Sequence, residues 1–198
     1  MKSFRLNDHG FTGLEAAIVL IAFVVVAAVF SYVVLGAGFF TTQKAQETVY
    51  EASGQATSSF EVVGQVYGIS NEASKNSLDY IRFNVGNTAG GGSMDITKMA
   101  VTYVDETTRQ DLAFSTNTGT ALDSELKSTW TRWGIRERIN ANSGNLLEKG
   151  EQFVLEAGTP TSAKLNTRIT LNLLPSKGAP NALHRNIPAG LGTYNILF

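Results

Sequence analysis

Apolar residues are continuous near the start of the chain. From Ala16 to Phe40 the sequence carries no ionisable side chain except Tyr32, and the nearest charge, Glu15, comes immediately before this run. At 1.5 Å rise per residue the run makes roughly 38 Å of helix, which is enough to cross a bilayer. The pattern therefore predicts a helix that lies in lipid or in an equally dry protein assembly.

The helical rhythm continues beyond this run. After Phe40 apolar residues recur at steps of three and four, which is typical of an amphipathic helix. We call this set the helix packing stripe: Ala45, Val49, Ala52, Ala56, Phe60, Val63 and Val66. The pattern predicts one helix over residues 11–67, roughly 85 Å long. Either its later part packs against the C-terminal domain of the same chain while the apolar part stays in lipid, or the helices of many copies leave the bilayer and pack together.

From residue 68 onward the pattern changes to short alternating runs. The clearest run is Lys164–Leu173, where leucine and isoleucine alternate with polar residues as in a strand with one buried face. Turn signals rich in Gly, Asn and Pro separate this run from further strand candidates at 78–85, 96–104, 112–115 and 152–156. The chain is therefore predicted to be α+β, with residues 68–198 forming an antiparallel β-sandwich of the Ig-like kind.

A polar segment, residues 1–10, precedes the apolar run. It carries Lys2 and Arg5, the charge sign that stays on the cytoplasmic side, so the rest of the chain is predicted to lie outside. The boundary between polar and apolar sequence falls at Gly10 and Phe11, ahead of the apolar core, and a cut there leaves the helix on the mature protein. The alternatives are an uncleaved signal anchor and a cut after the small residues 36–38.

The N-terminal sequence resembles that of a known family. Residues 10–29, GFTGLEAAIVLIAFVVVAAV, resemble the start of archaeal flagellins (archaellins), a branch of the type IV pilin-like superfamily. Residues 78–106 and 177–190 resemble the family's outer domain more loosely. The resemblance implies that a prepilin-type (preflagellin) peptidase cuts between Gly10 and Phe11, although Asp8 and His9 stand where many relatives carry basic residues.

Glu15 is an expensive residue at the start of a spanning helix. A carboxylate costs about 2.5–3.5 kcal/mol at the bilayer centre and less near the interface, so it needs a compensating partner. Cleavage would create an α-amine on Phe11, four residues before Glu15, and a helix N-terminus also favours a negative side chain. The resemblance implies that Phe11 and Glu15 dock subunits together. In the alternative interpretation, Glu15 only caps the helix.

Composition removes several classes of function. The chain has no cysteine and two histidines, which excludes a His/Cys metal cluster, a cysteine nucleophile and disulfides. Its formal net charge of −1 provides no basic surface for nucleic acid. No cofactor is predicted; Ca²⁺ or Mg²⁺ at Asp105, Glu106 and Asp111 is a secondary hypothesis whose spacing matches no EF-hand. Trp130 and Trp133 are expected to pack in a core or an interface.

The resemblance implies a function without catalysis. It indicates a major structural subunit of the archaeal flagellum (archaellum) filament, extracellular, polymerising through its N-terminal helix for swimming motility. The implied partners are identical or paralogous subunits, the peptidase and the membrane assembly machinery, after transient membrane insertion. The alternatives are an adhesion pilin for surface attachment and a singly anchored surface enzyme or ligand-binding module.

Overall fold

The computed structural model describes residues 8–57, 59–70, 76–88, 91–160 and 163–198, and the side chains of 8–12 and 56–57 lie outside the description. The predicted leader is therefore largely outside the described residues. The chain divides into two compact units, Met1–Glu51 and Ala52–Phe198.

Helix α1 (Asp8–Thr57) is a single helix of 50 residues, about 75 Å long at 1.5 Å per residue. The predicted apolar helix is thus present. It contains Gly36, Gly38 and Gly54, and a side chain added at any of them would meet nothing within 4 Å in the described structure. Each glycine costs about 1 kcal/mol of helix propensity relative to alanine, which is not enough to end a long helix.

The predicted end of the helix at residue 67 is wrong. The chain leaves α1 at Thr57 and enters strand β1 (Phe60–Ile69), which pairs with strands on both sides. Phe60 and Val66 belong to the helix packing stripe but also lie an even number of residues apart, as one face of a strand requires, and Gly64 has a φ of +80°, outside the helical region. Pairing with β2 and β11 satisfies the backbone hydrogen-bonding groups of this segment on both sides. The segment is therefore a strand and not a continuation of the helix.

The β-rich unit contains eleven strands among the described residues. After β1 come β2 (Tyr80–Asn87), β3 (Met94–Asp95), β4 (Ala100–Val104), β5 (Arg109–Ser115), β6 (Arg132–Ile139), β7 (Leu146–Leu147), β8 (Gln152–Gly158), β9 (Arg168–Leu174), β10 (Asn181–Asn186) and β11 (Tyr194–Leu197). Helix α2 (Gly119–Ser128) lies between β5 and β6, and a 3₁₀ turn (Ile96–Lys98) precedes β4. The strands of this unit therefore begin at residue 60, before the predicted boundary at residue 68.

Nine strands form one sheet in the order β10-β9-β4-β5-β6-β8-β2-β1-β11. The pairing is antiparallel except between β5 and β6, which are parallel. Strand β5 belongs to two leaves, because Arg109–Leu112 pairs with β4 whereas Ala113–Ser115 pairs with β6. Strand β5 thus joins a smaller leaf, formed by β10, β9 and β4, to a larger leaf, formed by β6, β8, β2, β1 and β11.

The two leaves enclose one hydrophobic core. Phe83 and Leu155 from the larger leaf belong to the same buried cluster as Tyr103 and Leu171 from the smaller one. Trp133 joins this cluster at 1% exposure, which confirms the expectation of a packing role for that residue. The predicted α+β class, a long apolar helix followed by a mostly antiparallel β domain, is confirmed.

Helix α2 covers the outer face of the larger leaf and was not predicted from the sequence. Leu122 and Leu126 are buried in a second cluster with Ile69 and Tyr80. Gly134 allows the helix to come close, since a Cβ there would lie 2.9 Å from a methyl carbon of Leu122. The larger leaf is consequently buried on both faces beneath α2.

Gly158, at the end of β8, tests the close approach of this strand to the backbone of Trp130. A Cβ at that position would lie 2.7 Å from the Cα of Trp130 and closer still to its carbonyl oxygen, so Gly158→Ala requires the backbone to move. We expect it to lower the free energy of unfolding by about 1–3 kcal/mol. Both tryptophans lie in this domain, so tryptophan fluorescence of the detergent-solubilised chain during urea unfolding measures the change.

Gly190→Ala is the matched control, because a Cβ there meets nothing within 4 Å. We expect its unfolding midpoint to match that of the unaltered chain. Equal midpoints for Gly158→Ala and Gly190→Ala would contradict the close approach between β8 and Trp130.

Candidate assembly surface

The surface of α1 is apolar on every side. Val24, Val25 and Val26 point in directions about 100° apart and are 54–66% exposed. The other exposed large apolar side chains between Leu14 and Phe40 are Leu14, Ile18, Val19, Leu20, Ile21, Phe23, Val29, Phe30, Tyr32, Val33, Val34, Leu35, Phe39 and Phe40. Gly13–Gln55 is long and apolar enough, by length and composition, to cross a membrane. A helix that is hydrophobic all round belongs in a buried environment.

The magnitude of this exposure decides what the surface does. Burying one large apolar side chain stabilises by about 1.5–3 kcal/mol, so the exposed set of α1 represents some tens of kcal/mol in water. A typical domain is stable by only about 5–15 kcal/mol. The helix surface is therefore an intermolecular contact surface, toward lipid or toward protein.

The polar groups within this surface are largely satisfied by the helix itself. The hydroxyl of Thr41 donates to the carbonyl of Ala37 at 2.8 Å, and that of Thr42 donates to the carbonyl of Phe39 at 2.9 Å. The first charges after the apolar run, Lys44 and Glu47, form an exposed ion pair of 2.6 Å. The helix thus has a dry segment that needs no polar partner for these threonines, followed by a segment suited to water.

The structure divides the helix packing stripe. Ala45, Val49 and Ala52 are exposed on α1, as an assembly surface requires, whereas the side chain of Ala56 lies outside the description. Phe60 and Val66 are buried inside the β domain at 5% and 1% exposure, and Val63 is half-buried in β1. The last three residues are therefore not part of a helix packing surface.

Gly10, Phe11 and Glu15 all lie in the first turns of α1. Phe11 and Glu15 are four residues apart, so they sit one turn apart on the same side of the helix. Within the part of the chain that the structure describes, Glu15 is exposed and no ion pair involves it. Docking through Phe11 and Glu15, and cleavage between Gly10 and Phe11, stay predictions.

A buried ionic cluster lies on the outer face of the larger leaf. Glu156 of β8 has no exposed side-chain surface, and its Oε1 lies 2.6 Å from Nη2 of Arg82 and 3.2 Å from Nη1 of Arg136. Asp123 of α2 pairs with Arg136. Arg82 stands directly opposite Glu156 in the sheet, and an irregularity in β6 between Ile135 and Glu137 places Arg136 beside them. The four charges tie three strands to α2.

The cluster has unequal carboxylates. Burial raises the pKa of Glu156 to about 7, and the neighbouring Asp123 adds to the rise, while Arg82 opposes it. For Asp123, burial is outweighed by its hydrogen bonds and by the two arginines, so its pKa is lowered. A raised carboxylate pKa is often found in catalytic sites. Here the side chain has no surface that a substrate could reach, so the cluster is structural.

The candidate cation ligands do not converge. Oδ1 of Asp105 accepts hydrogen bonds from the amides of Thr107 and Thr108 in its own turn, and Asp111 accepts one from Thr102 across the sheet. Among the described residues there is no group of three or more His, Asp or Glu placed to hold a metal ion. Binding of Ca²⁺ or Mg²⁺ at Asp105, Glu106 and Asp111 therefore gains no support from the geometry.

Sequence reasoning missed the ionic cluster. Its members come from α2 and three strands, and no local spacing links residues that are brought together by sheet pairing. The sequence did contain one sign of a buried charge. Glu156 interrupts the apolar run within Gln152–Gly158, a strand that its composition indicates is buried. A charge in such a strand needs a charged partner.

Three comparisons place these features among known proteins. The family model for archaeal-type flagellin matches residues 10–185. A probable flagellin of Archaeoglobus fulgidus is 34% identical over 199 residues, 98% of this chain and 97% of the relative. A 24 kDa flagellin of Methanospirillum hungatei is 91% identical over 32 residues, which are 16% of this chain and all of that sequence. The solved archaeal flagellum of M. hungatei strain JF1 is similar with a TM-score of 0.71 and 31% identity, covering 94% of this chain and 99% of that one.

The ionic cluster predicts an unusual dependence of stability on pH. Because the folded pKa of Glu156 is about 7, above the ordinary value of about 4.3 in an unfolded chain, the folded state binds the extra proton between these values. The free energy of unfolding should therefore fall as pH rises from about 4.5 to 7. The lowered pKa of Asp123 has the opposite effect: its contribution to the free energy of unfolding is lost only as the pH falls into the acidic range where Asp123 is protonated.

Glu156→Gln removes this titration, so we expect a flatter pH profile between 5 and 7 in urea unfolding followed by tryptophan fluorescence. Glu137→Gln is the control, because Glu137 is an exposed carboxylate on β6, and its profile should match that of the unaltered chain. An unchanged slope in Glu156→Gln would contradict the assignment of the raised pKa to Glu156.

Proposed function

The chain belongs to the archaeal-type flagellin family, and from this premise we propose how it enters a filament: cleavage between Gly10 and Phe11 frees a helix that leaves the membrane and packs against other subunits. It is a structural subunit of the archaeal flagellum, an extracellular filament for swimming motility. The family match and the likeness to a solved flagellum favour this function over that of an adhesion pilin.

The observation that carries the proposal is the all-round apolar surface of α1. In the precursor, lipid covers the segment from Ala16 to Phe40, with Lys2 and Arg5 on the cytoplasmic side. Transfer of this segment from lipid into water costs about 0.8 kcal/mol for each CH₂ that becomes exposed. The summed cost is too large for a free soluble subunit. Only other apolar helices can replace the lipid, so exit from the membrane and assembly occur together.

The proposed contact between helices is heterologous and does not close into a ring. One side of α1 meets a different side of the neighbouring helix, and such head-to-tail contacts propagate as an open helical filament. Small residues on the surface, among them Gly36 and Gly38, have open space beside them and permit close approach of helices. The partners are identical or paralogous subunits, and their β domains remain outside the core.

Proteins other than this subunit would carry out the catalytic steps of processing and assembly. The family is one of structural filament proteins, and we assign this subunit no catalytic step and no cofactor. A prepilin-type peptidase would remove residues 1–10, and the membrane assembly machinery would drive polymerisation. The near-neutral charge of the chain supports the absence of a nucleic-acid partner.

Sheared filaments provide the test of this function. We expect electron microscopy to show fibres, and mass spectrometry of the sheared material to identify this chain with Phe11 as its first residue. Cells that lack the chain should lose swimming. Monomers recovered only from membranes, or a mature N-terminus other than Phe11, would contradict assembly or processing respectively.

Glu15 provides a sharper test of docking. Glu15→Gln keeps the size of the side chain but removes the charge that would pair with the α-amine of Phe11, so we expect at least a tenfold loss of filament yield. The amount of cleaved chain in the membrane fraction should not change. Quantitative immunoblots of the sheared and membrane fractions measure both.

Glu51→Gln is the matched control, because Glu51 is an exposed carboxylate in the polar part of the same helix. Its filament yield should equal that of the unaltered chain. A normal yield in Glu15→Gln would reject the docking role and leave helix capping as the function of Glu15.

A further inference from the structure

The β domain presents an apolar surface that its own core does not use. Along β11 the side chains alternate, so that Asn195 and Leu197 point inward while Tyr194, Ile196 and the following Phe198 are 65%, 42% and 77% exposed. Tyr67, 39% exposed, stands directly opposite Ile196 on β1. We call Tyr67, Tyr194, Ile196 and Phe198 the β11 patch.

Contacts within the domain anchor β11 and one side chain of the patch, Tyr194. The side-chain amide of Asn195 donates to the carbonyls of Gly68 at 3.2 Å and Gly192 at 2.7 Å, which anchors β11. The guanidinium carbon of Arg82 lies 6.0 Å from the ring centre of Tyr194, and Arg82 is itself fixed by Glu156. Ordering part of a contact surface before binding reduces the entropy that is lost on binding.

The clustering distinguishes the patch from ordinary exposure of single residues. The other large apolar side chains exposed on the described β domain are Leu146 on β7 and Leu174 on β9, each on a different strand from the patch. Scattered exposed residues are normal, whereas the largest contiguous apolar patch on a protein, about 300–600 Å², is often functional. Tyrosine and phenylalanine are also enriched at the centres of protein interfaces.

We propose that the β11 patch contacts the β domain of a neighbouring copy of this chain in the filament; this inference rests on the proposed function. Aromatic side chains bury about 150–250 Å² each when fully covered, so the partly covered patch offers on the order of 400 Å². A free-standing interface needs about 800 Å² per partner. The patch is therefore too small to hold a free partner, but it suits copies that their helices already hold together.

Tethering is what makes so small a surface effective. Once helices pack, neighbouring β domains experience one another at an effective concentration near the millimolar range, and weak contacts add to the assembly. Because filament contacts are heterologous, the patch meets a different surface of the neighbour and not its own counterpart. The β domains then add stiffness outside the helical core.

The test compares filaments built from variants of the full chain. The double substitution Tyr194→Ser with Ile196→Ser removes exposed apolar surface while the inward residues of β11 stay in place. We expect its sheared filaments to dissociate at a temperature lower by roughly 5 °C or more, measured by sedimentation and electron microscopy. Leu174→Ser is the matched control, because Leu174 is 53% exposed on the other leaf, and its filaments should dissociate at the unaltered temperature.

Folding and assembly are separated by a second measurement. Tryptophan fluorescence of detergent-solubilised subunits should give the same unfolding midpoint for the double variant as for the unaltered chain. Phe198→Ser, at the most exposed position of the patch, provides an independent variant with the same expected loss of filament stability. Support requires lower filament stability with unchanged subunit stability.

Three results would overturn the inference. Unaltered chains that form no filament would remove the proposed function and the inference together. Filaments of both patch variants that dissociate at the unaltered temperature would remove the inference alone. Variant filaments of normal stability on cells that no longer attach to surfaces would assign the patch to a different partner.

Discussion

The requirement that the surface of α1 stay dry governs the structure. No ionisable side chain other than Tyr32 interrupts the segment from Ala16 to Phe40, and threonines near its end return their hydroxyl hydrogen bonds to the helix. A helix satisfies its backbone internally, so it is stable both in lipid and in a packed bundle of helices. The same conformation therefore suits both the lipid and the filament surroundings that we propose for α1, and only the neighbours of the helix would change.

The β domain solves the same problem of apolar burial within one chain. Its two leaves share a core, α2 covers the outer face of the larger leaf, and two carboxylates form ion pairs with two arginines between α2 and this leaf. Replacing one member of such a cluster is expected to lower the free energy of unfolding more than replacing the whole cluster by apolar residues, because it leaves a buried charge without a partner. The β domain thus buries most of its apolar surface within one chain, whereas the apolar surface of α1 needs other molecules to cover it.

Sequence patterns succeeded where one period or one composition dominated. The alternation in β9 placed Ile169, Leu171 and Leu173 on one face, and all three are buried. The pattern failed at Phe60 and Val66, whose spacing is compatible with a helix and with a strand. Backbone hydrogen bonds to β2 and β11 make this segment a strand. It also missed α2, where only Leu122 and Leu126 are buried, because two apolar residues one turn apart do not distinguish a short helix from a loop.

The sequence by itself determined where the long helix lies and that it needs dry surroundings, because an apolar composition on all sides has the same consequence whatever the helix contacts. Tertiary structure alone decided that the helix ends at Thr57, that β5 joins two leaves, and that Glu156 lies between Arg82 and Arg136. These features depend on pairing between backbone groups far apart in sequence. A local pattern records which face of a strand is apolar, but not which strand will lie beside it.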